Sequence, residues 1–189
     1  MAASSVSRVL LPLPLPPLPV LIQSGFQTSL PNAIVPLPSE LSSKSGRHLV
    51  LDRSRRRLLV LQDGTLLEAY PVAVGMPGWE TPEGNFSVIT KIPRPIWEHP
   101  EKRNRIMPGP DNPLGSRWIG FHRDCNGRDA HDGETWLKID GCVTAGFHGT
   151  PHRWTVGLAV SHGCVRLYDE DVRALYNLVK VGTPVTVLP

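Results

Sequence analysis

"RHLVLDRSRRRLLVLQDGTLLEAY", Arg47 to Tyr70, holds short apolar runs divided by turns, and it decides the fold class. "RHLVLD" and "RLLVLQDG" are rich in leucine and valine and too short for ordinary helices. Asp63-Gly64 is a dipeptide that two-residue hairpin loops favour, because both positions need positive φ. The chain therefore turns back there into "TLLEAYPVAVG". The arginine-rich stretch Arg53 to Arg57 reads as a solvated hairpin tip, with a patch for an anionic partner as the rival reading.

Composition points the same way. The 189 residues include 20 prolines and 17 glycines, a density of backbone breakers that helix-rich domains tolerate poorly. Forty per cent hydrophobic residues suffice for one real core. A net charge of +3 suits an anionic polymer surface and is too small to argue for nucleic acid. No internal repeat, heptad or dinucleotide fingerprint is present.

Residues 1–46 differ from the rest. "VLLPLPLPPLPVLI", Val9 to Ile22, is uncharged and follows Arg8, as the start of a secretory signal would. Its five prolines oppose the helix such a run adopts, and no Ala-x-Ala site follows. The alternative is a Pro-rich disordered spacer. The run is too short and interrupted for a stable membrane span. Export to the periplasm or cell envelope is expected, mainly from the chemistry below.

Residues 47–189 read as one globular domain. "NFSVITKI" alternates from Phe86 to Ile92 as a strand, and Pro93 to Ser116 is a long irregular segment of the kind used as a functional loop or lid. "RWIGFH" and "TWLKIDGCVTAGFH" predict further strands, the latter a pair joined through Asp140-Gly141. Val172, Leu175, Tyr176 and Val179 fall on one helical face. Asp169, Glu170 and Asp171 suit that helix's first turn, and Gly182 its stop. "TPVTVLP" closes the chain as a strand.

Between strands and helix lies "VSHGCVRL", with Cys164 after Ser161, His162 and Gly163 and before Arg166. A free thiol is only a few per cent ionised at neutral pH, so a nucleophilic cysteine needs a base. His162 is near in sequence, but i and i+2 do not bring an imidazole onto a thiol. His148, at the end of the probable strand "CVTAGFH", approaches from a neighbouring strand and is the favoured base. Gly163 leaves room for a substrate carbonyl. The N–H groups of Gly163 and Cys164 would hold an oxyanion, each such donor being worth about 2.7–4 kcal/mol of barrier. Arg166 adds positive charge near the thiolate or a substrate carboxylate, or pairs with Asp169 or Glu170.

Each residue also has an ordinary reading, the cysteine as a small core hydrophobe and the histidines as surface or satisfied core groups. Zinc competes, since His148, His152, His162 and Cys164 are good ligands, but neither Cys-x-x-Cys nor His-Glu-x-x-His accompanies them. No metal is expected. Cys125 and Cys142 read as spectators, able to pair in an oxidising compartment although their spacing does not demand it.

"HGTPHRWTVGLAVSHGCVRL" resembles the signature of YkuD-type L,D-transpeptidases, a histidine followed after a variable loop by Ser/Thr-His-Gly-Cys. "GMPGWETPEGNFSV" resembles the family's Thr-Pro-x-Gly-x-Phe turn, here Thr81, Pro82, Gly84 and Phe86, and "VGTPVTVLP" its closing strand. "PGPDNPLGSRWIGF" is similar to its middle region. The resemblance runs from Arg47 to Pro189 and leaves the leader uncovered. It implies a mainly β fold, a sandwich or curled mixed sheet with one C-terminal amphipathic helix. It implies thiol acyl transfer on peptidoglycan stem peptides, without metal or organic cofactor. Cys164 would be the nucleophile and His148 the general acid and base. Gly149 would supply the orienting carbonyl, Ser161, His162 and Gly163 the pocket, and Arg166 a substrate contact that some members replace with Asn. Rivals are an L,D-carboxypeptidase, a catalytically silent wall-binding module and an ordinary cysteine peptidase. A monomer is expected.

Overall fold

The computed structural model describes residues 45–99, 104–131, 136–139 and 141–189. The expectations for residues 1–44 of the 1–46 leader, for residues 100–103 of the Pro93–Ser116 segment and for Thr135 and Asp140 lie outside them. The strands are β1 (Arg47–Asp52), β2 (Arg57–Gln62), β3 (Thr65–Pro71), β4 (Val74–Gly75), β5 (Gly84–Ser87) and β6 (Thr90–Pro93). Next come β7 (Trp97–Glu98), β8 (Arg105–Ile106), β9 (Arg117–Asp124), β10 (Arg128–His131), β11 (Trp136–Ile139) and β12 (Val143–His148). A 3-10 turn at Arg153–Thr155 precedes β13 (Ala159–Ser161) and β14 (Val165–Arg166). Helix α1 (Asp169–Leu178) and β15 (Pro184–Leu188) finish the described chain.

The fold is mainly β, as expected, with two principal sheets. One has the order β3-β2-β1-β15-β5 and the other β14-β12-β9-β6. Asp63 and Gly64 both take positive φ, 50° and 76°, making the β2–β3 turn. Arg53 to Arg57 covers the β1–β2 tip. There Arg53 pairs with Glu83 and Arg55 with Asp52, and the Asp52 carboxyl is held below its ordinary range despite its burial.

One core lies between the two sheets and the helix. Leu49, Leu51, Leu58, Val60, Val185 and Val187 face it from the first sheet, and Ile119, Phe121, Ala145, Phe147 and Val165 from the second. Val172 and Leu175 close it from α1 and are fully buried. Side chains alternate across a strand, so an inward Phe147 puts His148 on the second sheet's outer face.

Three sequence expectations change. "NFSVITKI" is not one strand. Val88 N–H donates to Thr183 O at 2.8 Å while Ile89 N–H donates to Gly120 O at 2.8 Å, so successive residues bond to different sheets and the chain crosses between them. β11 pairs with β10, whereas β12 pairs with β9. The helix stops at Leu178, before Gly182. Val179 turns extended to enter the core, and Lys91 Nζ donates to its carbonyl at 2.6 Å, satisfying that helix end. Gly182, at φ 89°, serves the next turn.

Cys125 and Cys142 are disulfide-bonded, tying the end of β9 to the start of β12 around β10 and β11. Cys164 is the free cysteine. Among the described residues no helix is long and apolar enough to cross a membrane.

Phe147 is fully buried and packs on Phe121 with centroids 4.8 Å apart. Phe147→Ala is expected to cost about 3–5 kcal/mol in urea unfolding, because a cavity opens under the strand that carries His148.

Candidate active site

His148 ends β12, which has β14 parallel on one side and β9 antiparallel on the other. The β12–β14 register pairs Phe147 with Val165 and His148 with Arg166. Val165 and Phe147 point into the core. Cys164 and Arg166, flanking Val165, therefore share the outer face with His148 and Gly146. This parallel pairing brings together residues sixteen positions apart in the sequence.

The imidazole is buried, only 4% exposed, and its Nδ1 lies 2.6 Å from the Gly149 carbonyl. A carbonyl can only accept, so Nδ1 carries the hydrogen and Nε2 keeps its lone pair. The Gly149 peptide is held by close packing. A side chain there would meet Asp169 Oδ1 at 2.3 Å, and one at Gly115 would meet the same oxygen at 2.5 Å. Asp169 in turn accepts Ser116 N–H at 2.7 Å.

The Cys164 thiol directs its hydrogen at Thr144 O, 3.7 Å away, and receives the Gly146 N–H. Its hydrogen bonds among the described residues go to the backbone of β12, not to His148. Ser161 braces the turn behind it. The Ser161 hydroxyl, itself buried, donates to Cys164 O at 2.5 Å and accepts Gly163 N–H at 3.2 Å, while its carbonyl accepts Met76 N–H. The Gly163 N–H, expected to serve an oxyanion, is thus engaged at rest. Gly163 takes φ 102°, which an L side chain rarely adopts.

Burial dominates the electrostatics. It lowers His148 to about 4, with the Gly149 carbonyl opposing and Arg166 adding to the fall. It raises the Cys164 thiol, against which the Gly146 N–H and Arg166 work. Both groups are therefore neutral at pH 7. Arg166 favours the thiolate and disfavours the imidazolium. It has no carboxylate partner among the described residues: Glu170 pairs with Arg153, and Asp169 lies 3.7 Å from Arg173.

His162 is exposed and edge-on to the buried Trp79 ring, with centroids 4.9 Å apart. With Gly163, Thr144, Glu80 and Asp124 it lines a cavity of about 360 Å³ on one side of Cys164. A second cavity, about 490 Å³, lies beyond Gly149 against Thr150, Pro151, Arg94 and Ser116. His152 packs on Trp154, with ring centroids 4.9 Å apart. Among the described residues no three His, Cys, Asp or Glu cluster to hold a metal.

Sequence reading missed Thr144, Gly146 and Trp118. Trp118 stands opposite His148 across β9–β12, its indole stacked on the imidazole at 5.9 Å and 22°. The available clue was period-two alternation, which puts Thr144, Gly146 and His148 on one face of β12.

A family model for the L,D-transpeptidase catalytic domain, YkuD, matches residues 46–187. YqjB of Bacillus subtilis, which bears an L,D-transpeptidase name, is 35% identical over 140 residues, 74% of this chain and 70% of its own. ErfK/SrfK of Escherichia coli K12, also so named, is 28% identical over 180 residues, 88% of this chain and 50% of its own. The chain thus spans about half of that longer relative. Among solved structures, the catalytic domain of an Enterococcus faecium L,D-transpeptidase superposes with TM-score 0.52 at 18% identity, covering 77% of this chain and 98% of that one. L,D-transpeptidase 3 of Mycobacterium tuberculosis gives 0.53 at 20% identity, covering 76% and 61%. At such identities these two show a shared fold.

The depressed His148 has a thermodynamic consequence. Between about 4 and 6.5 the unfolded chain binds a proton there that the folded chain does not, so this group's contribution to stability falls as pH drops through that window. Urea titrations of wild type and His148→Gln are expected to converge between pH 6.5 and 4. Parallel curves would show that the imidazole is not buried neutral.

Proposed function

Since the chain belongs to the family of L,D-transpeptidase catalytic domains, we propose that it cross-links peptidoglycan stems, with Cys164 as nucleophile and His148 as general acid and base. The donor is a tetrapeptide stem. Cys164 sulfur bonds to the carbonyl carbon that precedes the terminal D-alanine while His148 Nε2 takes the thiol proton. The carbonyl oxygen becomes an oxyanion facing the Cys164 N–H, joined by the Gly163 N–H once it leaves Ser161. Collapse breaks the C–N bond, and the imidazolium gives its proton to the departing amine of D-alanine. A thioester remains.

The side-chain amine of a second stem then attacks that thioester and passes its proton to His148. The C–S bond breaks, and the thiolate recovers its proton from the imidazolium. The product is a 3→3 cross-link. Water in the amine's place gives an L,D-carboxypeptidase. These steps use neither metal nor organic cofactor.

The observation that most supports this reading is the committed tautomer of His148. Its Nδ1–H is spent on Gly149 O, so the nitrogen left to accept a proton is on the strand beside Cys164. An ordinary cysteine peptidase would place an Asn or Asp where Gly149 stands. Neutral partners suit a mechanism in which the proton moves as the sulfur attacks, without a standing ion pair. Peptidoglycan lies outside the cytoplasm, and the Cys125–Cys142 disulfide is of the kind an oxidising compartment sustains. Action in the periplasm or cell envelope, as a monomer, completes the proposal.

A muropeptide digest incubated with the wild-type chain is expected to release D-alanine from tetrapeptide stems and to yield 3→3 dimers, leaving pentapeptides intact. Cys164→Ala should abolish both products, and His148→Ala should lower kcat/KM by about 10²–10⁴-fold. Cys125→Ala should retain a thioester adduct detectable by mass spectrometry. Wild-type protein that leaves tetrapeptides untouched would reject the assignment.

A further inference from the structure

Trp118 occupies a prepared seat. Gly146 and Gly120 pair across β12 and β9, on the outer face that also carries His148. A Cβ on Gly146 would lie 2.7 Å from Trp118 Cζ2 and 2.9 Å from Cη2. One on Gly120 would lie 2.9 Å from Trp118 Nε1 and 2.7 Å from Thr90 Cγ2. The benzo edge of the indole therefore lies over one glycine and its pyrrole edge over the other. The Gly146 Cβ would also lie 2.8 Å from the Ile119 carbonyl, so any other residue at these positions would displace the ring or the neighbouring strand.

That seat sets the ring's direction. The indole lies nearly parallel to the imidazole, 22° between planes, with centroids 5.9 Å apart. Gly146 also gives its N–H to the Cys164 sulfur. One side chain thus rests on the residue that holds the thiol and stacks on the one that would take its proton. We propose that Trp118 is a positioning residue. Seated on Gly146 and Gly120, its indole fixes the plane of the His148 ring and keeps water from that ring's face, so that Nε2 stays aimed and unprotonated.

Other groups around His148 do not supply this. From β14 come Arg166 and, just before it, Cys164, and from the loop after β12 the Gly149 carbonyl. Asp169 at the start of α1 lies beyond Gly149 and is engaged by Ser116 N–H. On β9, Arg123 stands opposite Thr144, further along the strand from His148, and donates to Cys142 Sγ at 3.4 Å, while Arg117 lies against the Tyr176 ring. Trp118 offers the imidazole a broad apolar surface. Its negative π-face would attract an imidazolium, while exclusion of water disfavours one. His148 lies well below the 6.5 of free imidazole, so desolvation prevails.

The inference rests on His148 being the base, and its test reads that histidine directly. The full chain carrying Trp118→Ala, Trp118→Leu, Trp118→Phe or Gly146→Ala would be titrated by imidazole NMR, with melting curves to check folding. Wild type is expected to titrate near 4. Trp118→Ala and Gly146→Ala should raise the midpoint by about one unit as water reaches the ring. The acid limb of kcat/KM should move with it, and kcat should fall about tenfold with KM little changed. Trp118→Phe should restore most of both.

If Trp118→Ala fails to fold, Trp118→Leu decides, because it keeps apolar volume without a flat ring. An unchanged His148 midpoint in a folded Ala or Leu variant overturns the proposal, as does a Phe variant no better than Leu. If the NMR midpoint moves but the wild-type chain converts no tetrapeptide, the transpeptidase reading fails and the positioning role stands.

Discussion

The parallel pairing of β12 with β14 is the contact on which the site depends. It is only two residues long, Phe147 with Val165 and His148 with Arg166. So short a ladder would not hold in water alone. It holds because Phe147 and Val165 are both fully buried in the core between the sheets. The inner face supplies the free energy, and the outer face receives the geometry. Helix α1 adds to this from the other end, since Val172 and Leu175 pack into the same core while Asp169 fixes the glycine loop after β12.

Burial then determines the protonation states. An imidazole and a thiol placed side by side in water exchange a proton readily. In this face each is pushed towards its neutral form, the buried imidazole down and the half-buried thiol up. Arg166 does not favour an ion pair, because whatever it gains the thiolate it costs the imidazolium. The hydrogen bonds at rest agree. The thiol points at Thr144 O and the imidazole at Gly149 O, each parked on backbone. In the proposed mechanism a bound carbonyl would change the balance by giving the displaced charge somewhere to go, so that activation would come at the moment of attack.

Much of this was legible from the chain. Asp63-Gly64 marks its hairpin because both residues need positive φ, a purely local demand. The helix face of Val172 and Leu175 was likewise readable from spacing, and so was a strand ending in His148, which the register sets beside the strand that follows Cys164. Local rules failed where two sheets compete for one segment. "NFSVITKI" alternates like a single strand, yet the hydrogen bonds of Val88 and Ile89 go to different sheets, which alternation cannot express. Gly182 looked like a helix stop, but the core claimed Val179 first. Arg166 had acidic neighbours in sequence, and those found other partners in space. Trp118 was missed because its meaning depends on two glycines on different strands.

Those glycines show how function is written against stability. Glycine inside a strand loses more chain entropy than other residues and packs nothing, at roughly 0.5–1 kcal/mol relative to alanine. Here Gly120 and Gly146 sit opposite one another in adjacent strands, and Gly115 and Gly149 meet at Asp169 Oδ1. A sheet face selected for stability alone would fill Gly120 and Gly146 with valine or threonine. Filling the first pair would displace the indole that lies against His148, and filling the second would push away the carbonyl that holds its Nδ1–H. The two pairs flank the same imidazole, one beneath its stacking partner and one behind its hydrogen-bond acceptor. The backbone has been cleared on both sides of a single ring, which is the arrangement expected where one nitrogen must be held ready for a proton.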